Sequence, residues 1–340
     1  MKKVVGFGDF LVRLSPPGYQ RFMQCKQFDI NYTGAEANVL VSLSIMGVPT
    51  EFVTRLPDND ISRVGLAEMR KFGVGVNQVA FGGERIGVFY LEKGASQRPS
   101  KIVYDRKYTS IATASVEDFD WDAIFEDAQW FHSTGITPAL SKTMPEVYTY
   151  AIKAAKEKGL KVSCDLNYRK NMWTEAEAKE CMEKVVPYMD LVIANEEDAE
   201  KVLGIKAAET DVTAGKLNKE GYIDVAKQIC EKYGVSEVAI TLRRSITAND
   251  NEWGALLYSG GQAYFSKTYP IHIVDRVGGG DSFAAGLIYG KVNGFDPQKT
   301  IEYAAAASCL KHSMELDFNL STKEEVMRLM EGDGSGRVQR

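Results

Sequence analysis

Asp275-Arg276-Val277-Gly278-Gly279-Gly280-Asp281-Ser282-Phe283 is the stretch on which the reading of this chain turns. Three consecutive glycines remove every Cβ that would hold an anion away from the backbone, so successive N–H groups can converge on one oxyanion. Downstream, Phe283 pairs with Leu287 and Ala284 with Ile288 at i, i+4 spacing, which predicts a buried or amphipathic helix ending near Gly294. The glycines therefore stand at a helix N-terminus, where unpaired amides and the positive end of the dipole favour negative charge. An aspartate there competes with the anion for which the turn is shaped. Asp281 is best explained as a base beside a phosphate cradle made by Gly278, Gly279 and Gly280. The plainer alternative is a glycine turn with Asp281 as N-cap.

Outward from this stretch, short apolar runs alternate with helical patterns. Val4–Phe7, Phe52-Val53, Trp130-Phe131, Leu160–Cys164, Leu191–Ala194 and Val238–Leu242 read as buried strands. Helices are expected over Glu36–Met46, where Val39, Leu40, Leu43 and Met46 form one stripe, and over Lys142–Lys158, Glu175–Val185, Glu196–Leu203 and Tyr222–Tyr233. Repeated βαβ units imply an α/β fold, a mostly parallel sheet with helices on both faces and ligands at the carboxyl ends of the strands. Two regions depart from this rhythm. Within 11–33 and 86–108, residues such as Phe28-Ile30-Tyr32 and Ile102-Tyr104-Arg106-Tyr108 alternate at period two, which suits half-exposed antiparallel strands projecting from the main body.

The 340 residues are 44% hydrophobic and 26% charged, enough apolar content for a full core. A net charge of −5 argues against nucleic-acid or anionic-membrane partners. Five scattered cysteines without a CxxC pair fit reduced thiols, and three histidines without HExxH make a histidine metal site unexpected. Met1-Lys2-Lys3 imitates a secretory leader, but Gly6, Gly8 and Asp9 interrupt the apolar run, so a cytoplasmic protein is expected. Gly6-Phe7-Gly8-Asp9 has Leu11 where a dinucleotide fingerprint needs its third glycine, and no Gly-x-x-x-x-Gly-Lys-Ser/Thr loop is present.

Residues 275–283 resemble the second signature of the ribokinase-like (PfkB) carbohydrate kinases, roughly Asp-(Thr/Val)-x-Gly-Ala-Gly-Asp-x-Phe, with Arg276 at the Thr/Val position and Gly279 at the Ala position. Tyr32-Thr33-Gly34-Ala35-Glu36-Ala37-Asn38 is similar to the family's Gly-Gly-x-x-x-Asn-x-Ala segment, Thr33 replacing the first Gly and Leu40 the Ala. The resemblance implies a single ribokinase-like domain over residues 1–331 with a small antiparallel β lid at 11–33 and 86–108, and a flexible tail at 332–340. It further implies ATP and Mg²⁺ as cofactors, leaves a monovalent cation open, and points to a homo-oligomer joined through the lid. Carried over by position, Gly34, Ala35 and Asn38 contact substrate. Asp9, at the end of the first strand, reads as binding a sugar hydroxyl, with a simple turn aspartate as the alternative.

Arginine placement bears on the substrate. Tyr104 and Arg106 share a face if 101–108 is a strand, with Tyr90 on the partner strand joining them. In an extended segment after Leu160–Cys164, Asp165, Asn167 and Arg169 also face one way. Two guanidinium groups converging on one pocket suit a carboxylate. This pattern resembles the sugar-acid branch of the family, the 2-keto-3-deoxygluconate kinases, and implies phosphorylation of 2-dehydro-3-deoxy-D-gluconate to its 6-phosphate. The alternatives are a fructokinase or other neutral-sugar kinase, and a non-catalytic sensor of sugar acid or nucleotide. Asn195-Glu196-Glu197-Asp198 stands where the family has Asn-x-x-Glu, implying Asn195 near nucleotide phosphate and Asp198 near Mg²⁺ through water, although an N-cap explains Asn195 equally well. Thr241-Leu242-Arg243-Arg244 replaces a usual Thr-x-Gly, so Thr241 and Arg243 are the nucleotide-side candidates, with Arg244 the alternative to Arg243 for reaching a nucleotide phosphate. Ile301–Leu310, with Ala304 to Ala307 in a row, reads as tight packing in preference to an adenine wall.

Overall fold

The computed structural model describes residues 2–206 and 219–334. Strand β1 (Lys3–Phe7) leads to β2 (Leu11–Ser15), β3 (Asp29–Thr33) and helix α1 (Ala35–Ile45). Next come β4 (Thr50–Val53), the two-residue strands β5 (Arg55–Leu56) and β6 (Ala80–Phe81) on either side of α2 (Asp60–Lys71), then β7 (Gly87–Glu92) and β8 (Lys101–Asp105). A short α3 (Trp121–Phe125) precedes β9 (Ala128–Thr134), α4 (Met144–Glu157), β10 (Lys161–Asp165), α5 (Glu175–Val185), β11 (Leu191–Ala194) and α6 (Glu196–Leu203). After α7 (Lys219–Tyr233) come β12 (Glu237–Ser245), β13 (Asp250–Ser259), β14 (Gln262–Phe265) and β15 (Tyr269–His272). Helices α8 (Gly279–Val292), α9 (Pro297–His312) and α10 (Lys323–Glu331) complete the order. Residues 335–340, most of the expected tail, lie outside the described residues.

The main sheet runs β14-β13-β12-β11-β10-β9-β1-β4, with β15 also paired to β13. From β4 to β12 every neighbour is parallel; β13, β14 and β15 extend the edge antiparallel. Alternating side chains feed two cores, as a sheet covered on both faces requires. Val192 and Ala194 face α4, α5 and α7, while Leu191 and Ile193 face α1, α8 and α9. α1 departs from the expected single stripe: Glu36 through Leu43 are all buried, because it lies between the sheet and α8. Ala304 to Ala307 are fully buried against α8, where a Cβ on Gly286 would come within 2.5 Å of the Ala304 Cα. The alanine row serves packing.

The projecting sheet has the order β3-β2-β7-β8. Its outer pairs are antiparallel, as expected of the lid, but the central β2–β7 pair is parallel. Its register sets Asn31, Arg13, Phe89 and Tyr104 in one row and Ile30, Leu14, Tyr90 and Val103 in the next, which faces the other way. Tyr90 is thus corrected: it points away from Tyr104 and packs edge-on to Phe28, with centroids 5.7 Å apart, while Phe89 takes the inner face.

Arg13 on that inner row is fully buried. Its guanidinium reaches Asp275 at 2.6 Å and Asp317 at 2.7 Å, and its Nε donates to Ser15 Oγ at 2.9 Å. Asn31 donates to the second oxygen of Asp317 at 3.2 Å. Lys311, also fully buried, donates from Nζ to the carbonyl of Asp275 at 3.1 Å. Lid and glycine turn are therefore joined by hydrogen-bonded charge. Arg13→Met would leave two buried carboxylates without their main partner, and urea denaturation should show a loss of about 3–5 kcal/mol. A loss under ~1 kcal/mol would mean the linkage is not holding the two parts together.

Candidate active site

The carboxyl ends of β1, β10, β11 and β12, the inner lid face and the mouth of α8 enclose a cavity of about 720 Å³. Every sequence-predicted site residue lines it except Tyr90 and Gly279.

Gly278 is the N-cap of α8 at φ 82°, a left-handed conformation, and a Cβ there would lie 2.0 Å from the Asp317 carbonyl. No other residue type suits both demands. Gly279 does not face the cavity. Its amide turns back to the Arg276 carbonyl at 3.3 Å, and a Cβ would meet the His312 ring at 2.5 Å. Its role is close packing, and it leaves the predicted cradle for that reason. Gly280 is exposed, with open space where a Cβ would be. Helix geometry leaves the amides of Gly280 and Asp281 without intrahelical acceptors. Of the predicted cradle, these two amides at the dipole's positive end remain open to an anion.

Asp281 sits in the first turn of α8, half-buried. Asn38 Nδ2 donates to its Oδ2 at 2.6 Å, while Asn38 Oδ1 accepts from Thr33 Oγ1 at 2.9 Å. Asn38, expected at the substrate, has both ends of its amide occupied in orienting Asp281. Burial pushes the Asp281 carboxyl up to about 6, against the opposing pull of the Asn38 hydrogen bond and the Arg169 charge.

Asp9 follows β1 and is 3% exposed, yet neither carboxylate oxygen has a hydrogen-bond partner among the described residues. Burial raises it to about 6, with Arg106 Nη1 at 3.7 Å opposing. Gly34 is obligatory beside it, because a Cβ there would stand 2.1 Å from the Asp9 carbonyl. Two unsatisfied buried acceptors facing a cavity await donors.

Tyr104 ends the inner lid row, and the Arg106 guanidinium lies 4.3 Å from its ring centroid. The strand stops at Asp105, so Arg106 arrives from the following turn and not from the expected continuation of β8. The segment after β10 also differs from the extended form expected. Asp165 Oδ1 accepts the Asn167 N–H at 3.2 Å, and Asn167 adopts φ 39°. This side-chain-closed turn still brings Asp165, Asn167 and Arg169 to the cavity. Arg169 forms no ion pair among the described residues. Burial holds Asp165 well above the usual carboxylate range, and the Asp198 and Asp281 charges add to the rise.

Asn195 caps α6, its Oδ1 accepting from the amides of Glu197 at 2.8 Å and Asp198 at 2.9 Å. Asp198 is 4% exposed and accepts the Tyr168 N–H at 3.0 Å. Among the described residues no three acidic, histidine or cysteine side chains close on a metal position. The charges of Asp198 and Asp281 instead both bear on Asp165 and favour positive charge between them. Such a set fits a Mg²⁺ ion that keeps its waters and is carried on phosphate.

At the opposite end, Thr241 and Arg243 line the wall, while Arg244 faces away and pairs with Glu252 at 3.3 Å. Sequence reasoning missed Arg276, Asn251, Trp253 and His312 in this wall. Burial lowers His312 to about 4; its neutral ring donates from Nδ1 to the Ser308 carbonyl at 2.7 Å. Asn251 and Trp253 alternate along β13, a period-two signal that could have placed them together. Glu36 was also missed. Buried and raised to about 7, it accepts from the Thr134 amide at 2.8 Å and the Thr137 hydroxyl at 3.0 Å, fastening the end of β9 beside Asp9.

Comparison with known proteins follows the same lines. A 2-dehydro-3-deoxygalactonokinase from Haloferax volcanii is 31% identical over 334 residues, covering 98% of each chain. The crystal structure of a 2-dehydro-3-deoxygluconokinase from Thermotoga maritima is 50% identical, superposes with a TM-score of 0.94, and covers 98% of this chain and 100% of that one. A protein from E. coli described as a ribokinase II, solved in complex with ATP and Mg²⁺, shares the fold at 21% identity and a TM-score of 0.80, covering 97% and 99%. Residues 1–315 match the pfkB family of carbohydrate kinases, and the chain belongs to that family.

Proposed function

We propose that the protein transfers the γ-phosphoryl group of ATP to a hydroxyl of a keto-deoxy sugar acid, with 2-dehydro-3-deoxygluconate as the acceptor and its 6-phosphate as product. The observation that carries this reading is one cavity holding a base at a helix mouth, Asp281, together with two convergent guanidinium groups, Arg106 and Arg169. The names borne by the Thermotoga maritima and Haloferax volcanii relatives support it.

Asp281 accepts the hydroxyl proton as the oxygen attacks phosphorus, and Asn38 holds the accepting carboxylate in line. The amides of Gly280 and Asp281 take up charge growing on the phosphate oxygens; one preorganised donor of this kind is worth about 3 kcal/mol of barrier. Arg243 and Arg276 stand near the same end for the remaining phosphates. Mg²⁺, held through water by Asp198, would neutralise the transferring group. Asp9 takes hydroxyl donors of the acceptor, and Arg106 and Arg169 its carboxylate. The lid keeps water, the competing acceptor, away. Five free cysteines support a reducing, cytoplasmic setting. The outer lid row leaves Ile30 68% and Val103 54% exposed, which supports association of two copies through that face.

Asp281→Asn should lower kcat by several orders of magnitude while sugar acid and nucleotide still bind; unchanged turnover removes Asp281 from this role. Because Asp281 must be ionised to accept a proton, kcat/KM should fall tenfold per pH unit below about 6. A rate flat down to pH 5 would contradict that. Steady-state rates with 2-dehydro-3-deoxygluconate, fructose and ribose test the arginines, and preference for a neutral sugar defeats them.

Asp9 offers a separate check. Its folded value lies above its ordinary 3.8, so it favours the folded state only while protonated, and that contribution is lost as pH rises through about 6. Asp9→Asn removes this loss. Between pH 4 and 7 the ligand-free variant should shed about 1–3 kcal/mol less stability than the parent in urea, while its KM for the acceptor rises. Equal pH slopes would show that Asp9 already has a partner.

A further inference from the structure

Beside the cavity that contains Asp281 lies a second one of about 620 Å³. It is bounded by the end of β8, the Pro138–Leu140 turn, the loop after β10 and the first turns of α6. Ile102, Tyr104, Arg106, Arg169, Asn171 and Glu197 border both spaces, so the two adjoin along the wall that carries the guanidinium pair. Thr241, Arg243, Arg276 and Gly280 border only the first. The second space therefore opens on the acceptor end and not on the nucleotide end.

Its charge is one-sided. Arg106, Lys107, Arg169, Lys170 and Lys201 line it against one carboxylate, Glu197, which is tied to Lys201 at 3.2 Å. Lys107 and Lys170 are exposed, come from different elements, and form no ion pair among the described residues. The chain as a whole carries −5, so a small anion meets net repulsion from the protein and attraction at this mouth. These two lysines line one hollow together with Arg106 and Arg169.

We propose that this second cavity is a cationic antechamber that gathers the carboxylate-bearing acceptor and delivers it to Arg106 and Arg169, with Lys107 and Lys170 acting as steering residues. The inference rests on the sugar-acid reading of the main site. A neutral sugar would gain nothing from it.

The test uses the full-length enzyme as Lys107→Gln/Lys170→Gln and Lys107→Glu/Lys170→Glu. Steady-state rates are measured with 2-dehydro-3-deoxygluconate near 0.01 M and near 1 M salt, where screening lengths are about 30 Å and about 3 Å. At low salt the acceptor KM should rise on the order of threefold in the neutral pair and on the order of tenfold in the reversed pair. At high salt the three proteins should converge, with kcat unchanged throughout. An acceptor KM equal to the parent's at low salt overturns the antechamber, as does a change that salt does not remove. Should the parent itself prefer fructose, the sugar-acid reading fails first and this inference falls with it; with the parent selective for the acid, an unresponsive KM defeats the antechamber alone.

Discussion

The contact between Arg13 and the two carboxylates Asp275 and Asp317 governs where everything else in the site can stand. Arg13 belongs to the lid, Asp275 opens the glycine turn, and Asp317 lies in the segment after α9. Replacing such a buried set with apolar side chains of similar volume often costs little. What charge supplies here is direction. A fork of donors admits one orientation of the lid strand over the turn, whereas an apolar contact tolerates sliding. The same Asp275 also accepts the Val277 N–H at 3.1 Å, and its carbonyl receives Lys311. The turn that aims the Gly280 and Asp281 amides is therefore fixed from the lid side and from the α9 side at once.

On that frame the cavity collects carboxylates in an environment that disfavours their charge. Asp9, Asp165 and Asp281 are all raised, chiefly by burial, and Asp165 further by its acidic neighbours. The charges of Arg106 and Arg169 oppose that rise without overcoming it. A free protein arranged this way stores unfavourable desolvation that hydroxyl donors and a phosphate-borne cation relieve. For Asp281 the consequence is chemical: a carboxylate lifted to about 6 remains ionised near neutrality and is a stronger proton acceptor than an exposed aspartate.

Much of this was legible in the sequence, for reasons that can be named. Glu175–Val185, Glu196–Leu203 and Leu191–Ala194 carry strong periodicity with clear caps or turns, and their predicted bounds match the observed ones. Asp281, Asn38 and Arg169 stand out because glycine turns and strand ends announce themselves locally. Other features depend on partners far along the chain. Tyr90 and Phe89 differ only by which side of β7 faces inward, and the parallel pairing with β2 decides that. Gly279 looks like its neighbours until His312 comes to rest beneath it. Arg13 and Lys311 carry no signal of their burial, since nothing local foretells carboxylates 262 and 304 residues downstream of Arg13. The edge strands β13 to β15 were passed over, and with them the Asn251 and Trp253 wall.

The two ends of the cavity differ in kind as well as in legibility. The acceptor end is built from side chains: Asp9, Tyr104, Arg106, Asn167 and Arg169 all project from strand ends or from a turn held by its own side chains. Side-chain chemistry is written in residue types, so a sugar acid can be argued from them. The end at the mouth of α8, proposed for phosphate, presents backbone amides of Gly280 and Asp281, and the glycines there are constrained by what must be missing. A Cβ is forbidden at Gly278 by the Asp317 carbonyl and at Gly279 by His312, while at Gly280 nothing fills the space toward the cavity. Only the last of these glycines keeps room for a ligand; the other two keep room for the protein itself. A run of three identical residues thus divides into packing and chemistry, and the boundary falls where the first turn of α8 opens to the cavity.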